Sequence, residues 1–307
     1  MKGYEKMVFV LILFTSVLFV IMLDNAFSGG FKRRSGIDML SEIAIKSREY
    51  KVDLDVPLEK KIFSFDGTLL NGYLYKGNPK TSVTVILIHG YKLSHREMLG
   101  FANFYVNSCG FNVLAPDLRG HGESGGDYIC FGVKDREDIL SWIEYIKQMI
   151  GSKTKIVLHG ISMGAATALM TGAYNDENVY GIIADCPYAS GKEMVKKKIK
   201  SKYKIAVNFL YSVLDKYVKI RCKFSMEDSD VVEYVKHIKC PVLYIHGASD
   251  EEITPLNSYR LYENTNSEKE LYIVLGAGHA QSVLVETEKY MKKVKNFIDV
   301  ISSGQTA

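Results

Sequence analysis

The chain has 307 residues, 47% hydrophobic and 24% charged, which is enough for one large domain with a thick core and too apolar for general disorder. Its 39 basic and 35 acidic side chains leave a formal charge of +4, with no basic stripe interleaved with aromatics, so nucleic acid is excluded as the expected partner. Five widely spaced cysteines, Cys109, Cys130, Cys186, Cys222 and Cys240, with no C-x-x-C pair, argue against a disulfide framework or a zinc site and for free buried thiols in a reducing compartment.

Met7 to Leu23 is an uncharged apolar run, with Lys2 and Lys6 before it and Asp24 after it. As a helix it would cover about 26 Å, close to the ~30 Å of a bilayer's hydrocarbon core. An uncleaved membrane anchor over residues 1–28 is expected. A cleavable signal peptide competes, because Ala26-Phe27-Ser28 offers small residues just past the run, yet the run exceeds the ~7–15 residues of a usual signal core. Lys32, Arg33 and Arg34 outnumber Lys2 and Lys6, which by the positive-inside rule favours the cytoplasmic side for the remainder of the chain without fixing it.

Residues 29–57 read as a connector with one amphipathic helical piece, Ile37 to Tyr50. Strands and helices then alternate over residues 58–303. Lys61 to Phe65 and Leu69 to Tyr75 read as a hairpin with a tight Asp66-Gly67 turn. Ser82 to His89 and Phe111 to Pro116 are strands, with a helix from Phe101 to Cys109 between them. Asp135 to Ile150 is a helix with Trp142, Ile146 and Met149 on one stripe. Lys155 to His159, Val179 to Cys186, Pro241 to His246 and Leu271 to Leu275 complete the strands, and a helix from Ser282 to Val300 closes the chain. This alternation predicts an eight-stranded, mostly parallel α/β sheet with helices on both faces.

Over about residues 188–238 the alternation stops and the chain becomes helical and basic. Lys192, Lys196, Lys197, Lys198, Lys200, Lys202 and Lys204 face only Glu193 as an opposing charge, and an aromatic-aliphatic helix follows through Ile205, Phe209, Leu210, Val213 and Tyr217. The insertion reads as a helical cap, and its lysines read either as a solvated helix face or as a surface that docks on anionic membrane lipid.

The chemistry centres on Gly160-Ile161-Ser162-Met163-Gly164, a G-x-S-x-G between a β-branched strand and an Ala-rich helix. In a nucleophile elbow of this kind Ser162 sits in a strained turn, and Gly160 and Gly164 let strand and helix pack closely. The Met163 N–H, at the helix start, would face the oxyanion of an acyl-transfer intermediate. A serine hydroxyl is a poor nucleophile near neutrality and needs a base, itself oriented by an acid. His279, in the small-residue loop Gly276-Ala277-Gly278-His279-Ala280, is the best base, and Asp250 is the expected acid, with Asp185 as the alternative. Asp117 is expected to hold the turn at Arg119. His89, His95, His121, His159, His237 and His246 are expected to make local structural hydrogen bonds.

From about Ile62 to Val300 these motifs resemble the α/β-hydrolase superfamily, and within it the serine-aminopeptidase-like and monoacylglycerol-lipase-like bacterial hydrolases. The residues carrying the resemblance are His89-Gly90-Tyr91, Asp117-Leu-Arg-Gly-His-Gly-Glu-Ser124, Gly160 to Gly164, Pro241 to Gly247 with Asp250, and Gly278-His279. The N-terminal anchor ahead of such a domain is similar to the Bem46-like layout. The resemblance implies Ser162 as nucleophile, Asp250 as acid, His279 as base, and the backbone N–H groups of Tyr91 and Met163 as the oxyanion hole, with no metal and no organic cofactor.

The motifs specify acyl transfer to water without naming the acyl group. A carboxylic-ester hydrolase acting on lipid-like or acyl-chain esters is expected from the anchor and the Tyr/Phe-rich cap. A peptidase or aminopeptidase that holds its substrate's amine on Glu251 or Glu252 is the alternative enzyme, and a catalytically inactive membrane-tethered binding protein is the alternative of another class. Glu251 and Glu252 beside Asp250 are also expected to rescue part of an Asp250 variant's activity.

Overall fold

The computed structural model describes residues 21, 24, 25, 27–33, 53–204 and 206–303. Apart from Ile21, the expected membrane anchor run lies outside the described residues, as do the amphipathic piece at 37–50 and Ile205. Among the described residues no helix is long and apolar enough to cross a membrane.

Among the described residues eight strands build one sheet: β1 Leu58–Phe63, β2 Leu69–Tyr75, β3 Val83–Ile88, β4 Asn112–Pro116, β5 Lys155–Ile161, β6 Val179–Asp185, β7 Val242–Gly247 and β8 Lys269–Val274. Their spatial order is β1-β2-β4-β3-β5-β6-β7-β8. The β1–β2 and β2–β4 pairs are antiparallel and all others parallel. The mostly parallel sheet expected from the alternation is therefore present. The expected tight hairpin turn at Asp66-Gly67 is present: the Ser64 N–H donates to the Thr68 carbonyl and the Gly67 N–H to the Ser64 carbonyl, which leaves Phe65, Asp66 and Gly67 as the loop, with Gly67 at φ 81°.

β3, β4 and β7 are buried at every position, as a sheet covered on both faces requires. Alternate residues feed two cores. Ile86, Ile88, Leu158, Ile182 and Tyr244 pack against helices α2 (Asp135–Ile150) and α3 (Met163–Gly172). Val85, Leu87, Val157, Ile183 and Leu243 pack against Phe101 of α1 (Leu99–Asn103), the following turn at Tyr105, and the last helix. Trp142 of α2 fills the space that Gly72 leaves on β2, where a Cβ would approach the indole to 2.8 Å. Met149, expected on the same stripe, is 49% exposed; the buried stripe is Ile139, Trp142, Ile143 and Ile146, and position 149 is rotated off it.

Between β6 and β7 stand α4 (Gly191–Tyr203), α5 (Val207–Cys222) and the short α6 (Val231–Val235). A third core lies here, and it includes Phe27 and Phe31 from the N-terminal segment together with Tyr211, Leu214, Val218 and Cys222 of α5. Phe209, expected on the packed stripe, is 62% exposed because the buried face of α5 runs through 211, 214, 218 and 222. The cap lysines face more acid than expected: Lys192 pairs with Glu227 at 2.7 Å, which a turn at Met226–Ser229 brings back to α4, and Glu193 instead pairs with Arg260 of α7 (Leu256–Asn264). After β8, the expected single closing helix is two, α8 (Ser282–Val285) and α9 (Thr287–Ser303), broken at Glu286.

Candidate active site

In the sheet order β4-β3-β5 the chain reverses its direction of winding, and such a switch opens a crevice at the carboxyl ends of the strands. β3 leads there into His89-Gly90-Tyr91 and β5 into Ser162. Ser162 is at φ 56°, ψ −116°, a conformation that non-glycine residues rarely adopt. The surroundings hold it there. The Ser162 N–H donates to the Asp185 carbonyl at 2.8 Å, and its own carbonyl accepts from Ala165 and Ala166 in the first turn of α3.

The two elbow glycines are required by contact. A Cβ on Gly160 would lie 2.1 Å from the Gly164 carbonyl oxygen, and one on Gly164 would lie 2.0 Å from that of Ile88. A Cβ built on Gly90 comes within 3.6 Å of the Ser162 Cβ, so the turn carrying Tyr91 runs directly beside the serine. Met163 is the first residue of α3, where backbone N–H groups point away from the helix and its dipole favours negative charge.

His279 and Asp250 reach the serine from the next strand ends. Their loops lie back to back: the Ala248 N–H donates to Val274 and the Ser249 N–H to Ala277, and Gly247 has no room for a Cβ against Ala277 and Gly278. His279 Nε2 stands 3.0 Å from Ser162 Oγ, and His279 Nδ1 stands 2.7 Å from Asp250 Oδ2. An ionised carboxylate only accepts, so Nδ1 carries the proton and Nε2 is left to accept from the serine hydroxyl. This is the hydrogen-bond chain by which a hydroxyl can be deprotonated as it attacks a carbonyl.

Burial raises the Asp250 carboxyl, but hydrogen bonds from His246 and His279 and from the Ile253 N–H outweigh it and hold the group well below the usual carboxylate range. Burial lowers the His279 imidazole, but the Asp250 hydrogen bond and charge, with Glu252 and Asp185 behind, bring it above its ordinary value. Sequence reasoning missed the part of His246. Its Nε2–H donates to the Ile253 carbonyl at 2.7 Å and lies 3.2 Å from Asp250 Oδ2, while its Nδ1 is 2.6 Å from Ser258 Oγ. The signal was the four-residue spacing of His246 and Asp250 around the strand end.

The remaining expectations divide. His89 and His121 do make local bonds, to the Gly90 carbonyl and Leu118 N–H and to the Arg119 carbonyl and Lys92 N–H. His95 binds Asp117 through Nδ1. His159 bridges two distant hydroxyls, Tyr105 at 2.8 Å and Tyr290 at 3.2 Å. His237 is exposed. Asp185, the alternative acid, is turned away from His279 onto the Tyr290 hydroxyl at 2.9 Å, and burial pushes its carboxyl up to about 6. Asp117 does hold the turn at Arg119, its carboxylate accepting from the Glu123 N–H across the turn and from the His95 N–H, while the Arg119 side chain itself forks onto Asp138 and reaches Asp66. Both Glu251 and Glu252 point to solvent, and it is the Glu252 backbone N–H that serves Asp250.

A family profile described as serine aminopeptidase, S33, matches residues 79–236. The chain is 31% identical over 220 residues to the uncharacterized protein YqkD of Bacillus subtilis, covering 71% of this chain and 72% of that one. It is 29% identical over 174 residues to the lysophosphatidylserine lipase ABHD12 of Danio rerio, covering 54% of this chain and 42% of the lipase. Among solved structures, the esterase Pf2001 of Pyrococcus furiosus superposes with a TM-score of 0.65 at 25% identity, covering 87% of this chain and 97% of the esterase. On its sheet order, its elbow and these matches, the chain belongs to the α/β-hydrolase superfamily, in the serine aminopeptidase S33 family.

Proposed function

We propose that this protein is a serine hydrolase that cleaves carboxylic esters, with lipid-like or acyl-chain esters as its substrate class. Ser162 Oγ attacks the ester carbonyl while His279 Nε2 takes its proton, and Asp250 stabilises the imidazolium that forms. The developing oxyanion is received by the backbone N–H groups of Met163 and Tyr91. Collapse of the tetrahedral intermediate breaks the ester C–O bond, His279 returns the proton to the leaving alcohol, and the acyl group stays on Ser162. A water molecule, deprotonated by His279, then releases the carboxylic acid and restores the serine.

The observation that carries this reading is the chain Ser162 Oγ to His279 Nε2 to Asp250 at 3.0 and 2.7 Å, on a serine held at φ 56°. The esterase and the lysophosphatidylserine lipase among the similar proteins support the ester and lipid-like class. A fluorophosphonate probe and a p-nitrophenyl ester test it. Ser162→Ala or His279→Ala in folded protein should lower turnover on the order of 10⁴-fold, and Ser162→Ala should abolish labelling. Turnover within tenfold of wild type sinks the assignment. A panel of aminoacyl anilides run beside the esters separates the peptidase alternative.

The apolar run of residues 7–23 is read as an uncleaved anchor with the hydrolase on the cytoplasmic side. Supporting the absence of cleavage, Phe27 is fully buried in the third core, so a cut after Ser28 would strip it from its partners. The exposed Lys198, Lys200, Lys202 and Lys204 of the cap, with Lys216, Lys219 and Lys223 on and after α5, are proposed to rest on anionic lipid, at about 1 kcal/mol each near the surface. Substituting Lys198, Lys200, Lys202 and Lys204 by Gln in the reconstituted protein should weaken the effect of anionic lipid on turnover. Equal turnover of both proteins in neutral and anionic vesicles removes the idea.

A further inference from the structure

The turn carrying Tyr91 is restrained from two directions, and both restraints lead back to the N-terminal segment. The Tyr91 hydroxyl donates to the carbonyls of Gly30 at 2.9 Å and Gly29 at 3.3 Å, and Lys92 Nζ donates to Gly29 at 3.1 Å. From the other side, the Lys92 N–H donates to His121 Nε2 at 3.0 Å. His121 belongs to the loop that Arg33 grips through the Gly122 and Ser124 carbonyls. The turn needs such support, since Lys92 is itself at φ 60°.

Residues 27–33 are in turn built into the domain. Arg33 and Phe31 exchange backbone hydrogen bonds with Asp127 and Ile129, a short antiparallel bridge pairs Lys32 with Tyr128, and Phe31 closes a helical turn onto Phe27. A run of aromatic contacts links the cap to the same turn: Tyr217 to Phe27 at 5.1 Å, Phe27 to Phe31 at 5.4 Å, Phe31 to Phe131 at 5.2 Å and Phe131 to Tyr91 at 5.6 Å. Phe27 is fully buried and Phe31 is 3% exposed, so the segment is packed as core although it precedes the sheet by more than twenty residues.

We propose that residues 27–33 form a positioning strap for the oxyanion hole, fixing the backbone N–H of Tyr91 relative to Ser162. Phe31 and Arg33 are positioning residues that act through Tyr91 and do not meet the substrate themselves. The proposal rests on the serine-hydrolase reading and adds that the segment joining the expected anchor to the domain is part of the machinery of turnover. A donor aimed at the oxyanion serves the tetrahedral state more than the planar ester, so slackening the strap should lower kcat and leave KM nearly unchanged.

The test uses the full chain in detergent micelles. Tyr91→Phe removes only the hydroxyl that holds Gly29 and Gly30; Phe31→Ala opens the aromatic run, and Phe31→Leu refills it. Alongside kcat and KM on a p-nitrophenyl ester, inhibition is measured with a trifluoromethyl ketone, which adds to the serine as a tetrahedral oxyanion, and with the matching methyl ketone. Tyr91→Phe and Phe31→Ala should each lower kcat about tenfold or more with KM within about twofold, since small misplacements of a catalytic group cost up to ~100-fold. The trifluoromethyl ketone should weaken by the same factor as kcat, the methyl ketone should not, and Phe31→Leu should recover most of the loss. If Phe31→Ala fails to fold, Tyr91→Phe decides alone. Unchanged kcat in folded Tyr91→Phe, or equal weakening of both ketones, overturns the strap. Fluorophosphonate labelling lost in Ser162→Ala while Tyr91→Phe keeps full kcat removes the strap and leaves the hydrolase reading intact; labelling that survives Ser162→Ala removes both.

Discussion

His279 is pulled two ways: burial disfavours its charge, and the carboxylates of Asp250, Glu252 and Asp185 favour it and win. A general base works only when neutral, so kcat/KM for an ester should rise with pH through an inflection above 6.5, the ordinary histidine value. An inflection below 6.5 contradicts the balance of forces described for this ring. Of the neighbouring glutamates expected to rescue an Asp250 variant, both are exposed and the Glu252 charge already acts on His279. Asp185 gives a second prediction. Its folded pKa of about 6 lies above the ordinary 3.8, so the stability it contributes is complete below pH 3.8 and is lost as pH rises through 6. Asp185→Asn carries no charge to bury. Its melting temperature relative to wild type should therefore increase from pH 5 to pH 8, and an equal difference at both pH values refutes the assignment. The pairing of Ser162, His279 and Asp250 was legible from motif and chain order; the turn of Asp185 toward Tyr290 was not, since the tyrosine lies 105 residues away.

At the scale of elements, the elbow joins β5 to α3 at a separation only glycines permit. Gly164→Ala places a methyl 2.0 Å from the Ile88 carbonyl oxygen, on backbone that cannot swing aside. It should destabilise the protein by about 3 kcal/mol, the upper end for overpacking, read as a lower denaturant midpoint. Helix α5 offers a contrast between two aromatic residues two positions apart. Tyr211 is buried and bonded to Glu227, and Phe209 is exposed. Phe209→Ser should change stability by less than about 0.5 kcal/mol, whereas Tyr211→Ala should cost about 3 kcal/mol or more. Reversed sensitivities in urea unfolding would mean the helix is rotated. Hydrophobic content alone could not choose this face. Phe209, Leu210, Tyr211, Val213 and Leu214 put apolar groups nearly all round the helix, and only packing against Phe27, Phe31 and Phe224 selects one side.

For the molecule as a whole, the absence of paired cysteines predicts a simple titration. All five are free, with Cys130, Cys186 and Cys222 buried. Without reductant, the unfolded chain should titrate five thiols, and those three should react only after unfolding; a smaller count would reveal a disulfide that this fold does not contain. The sequence by itself determined the alternation of strands and helices, the elbow and the order Ser162, Asp250, His279, because strands buried on both faces need continuous apolar runs and a strained turn needs glycines at set spacing. Only the tertiary structure decided that Asp185 turns onto Tyr290, that His246 steadies Asp250, and that Phe27 and Phe31 belong to the domain core. Each of these depends on side chains brought together across a sheet or beneath a cap from distant parts of the chain, and local periodicity carries no record of such meetings.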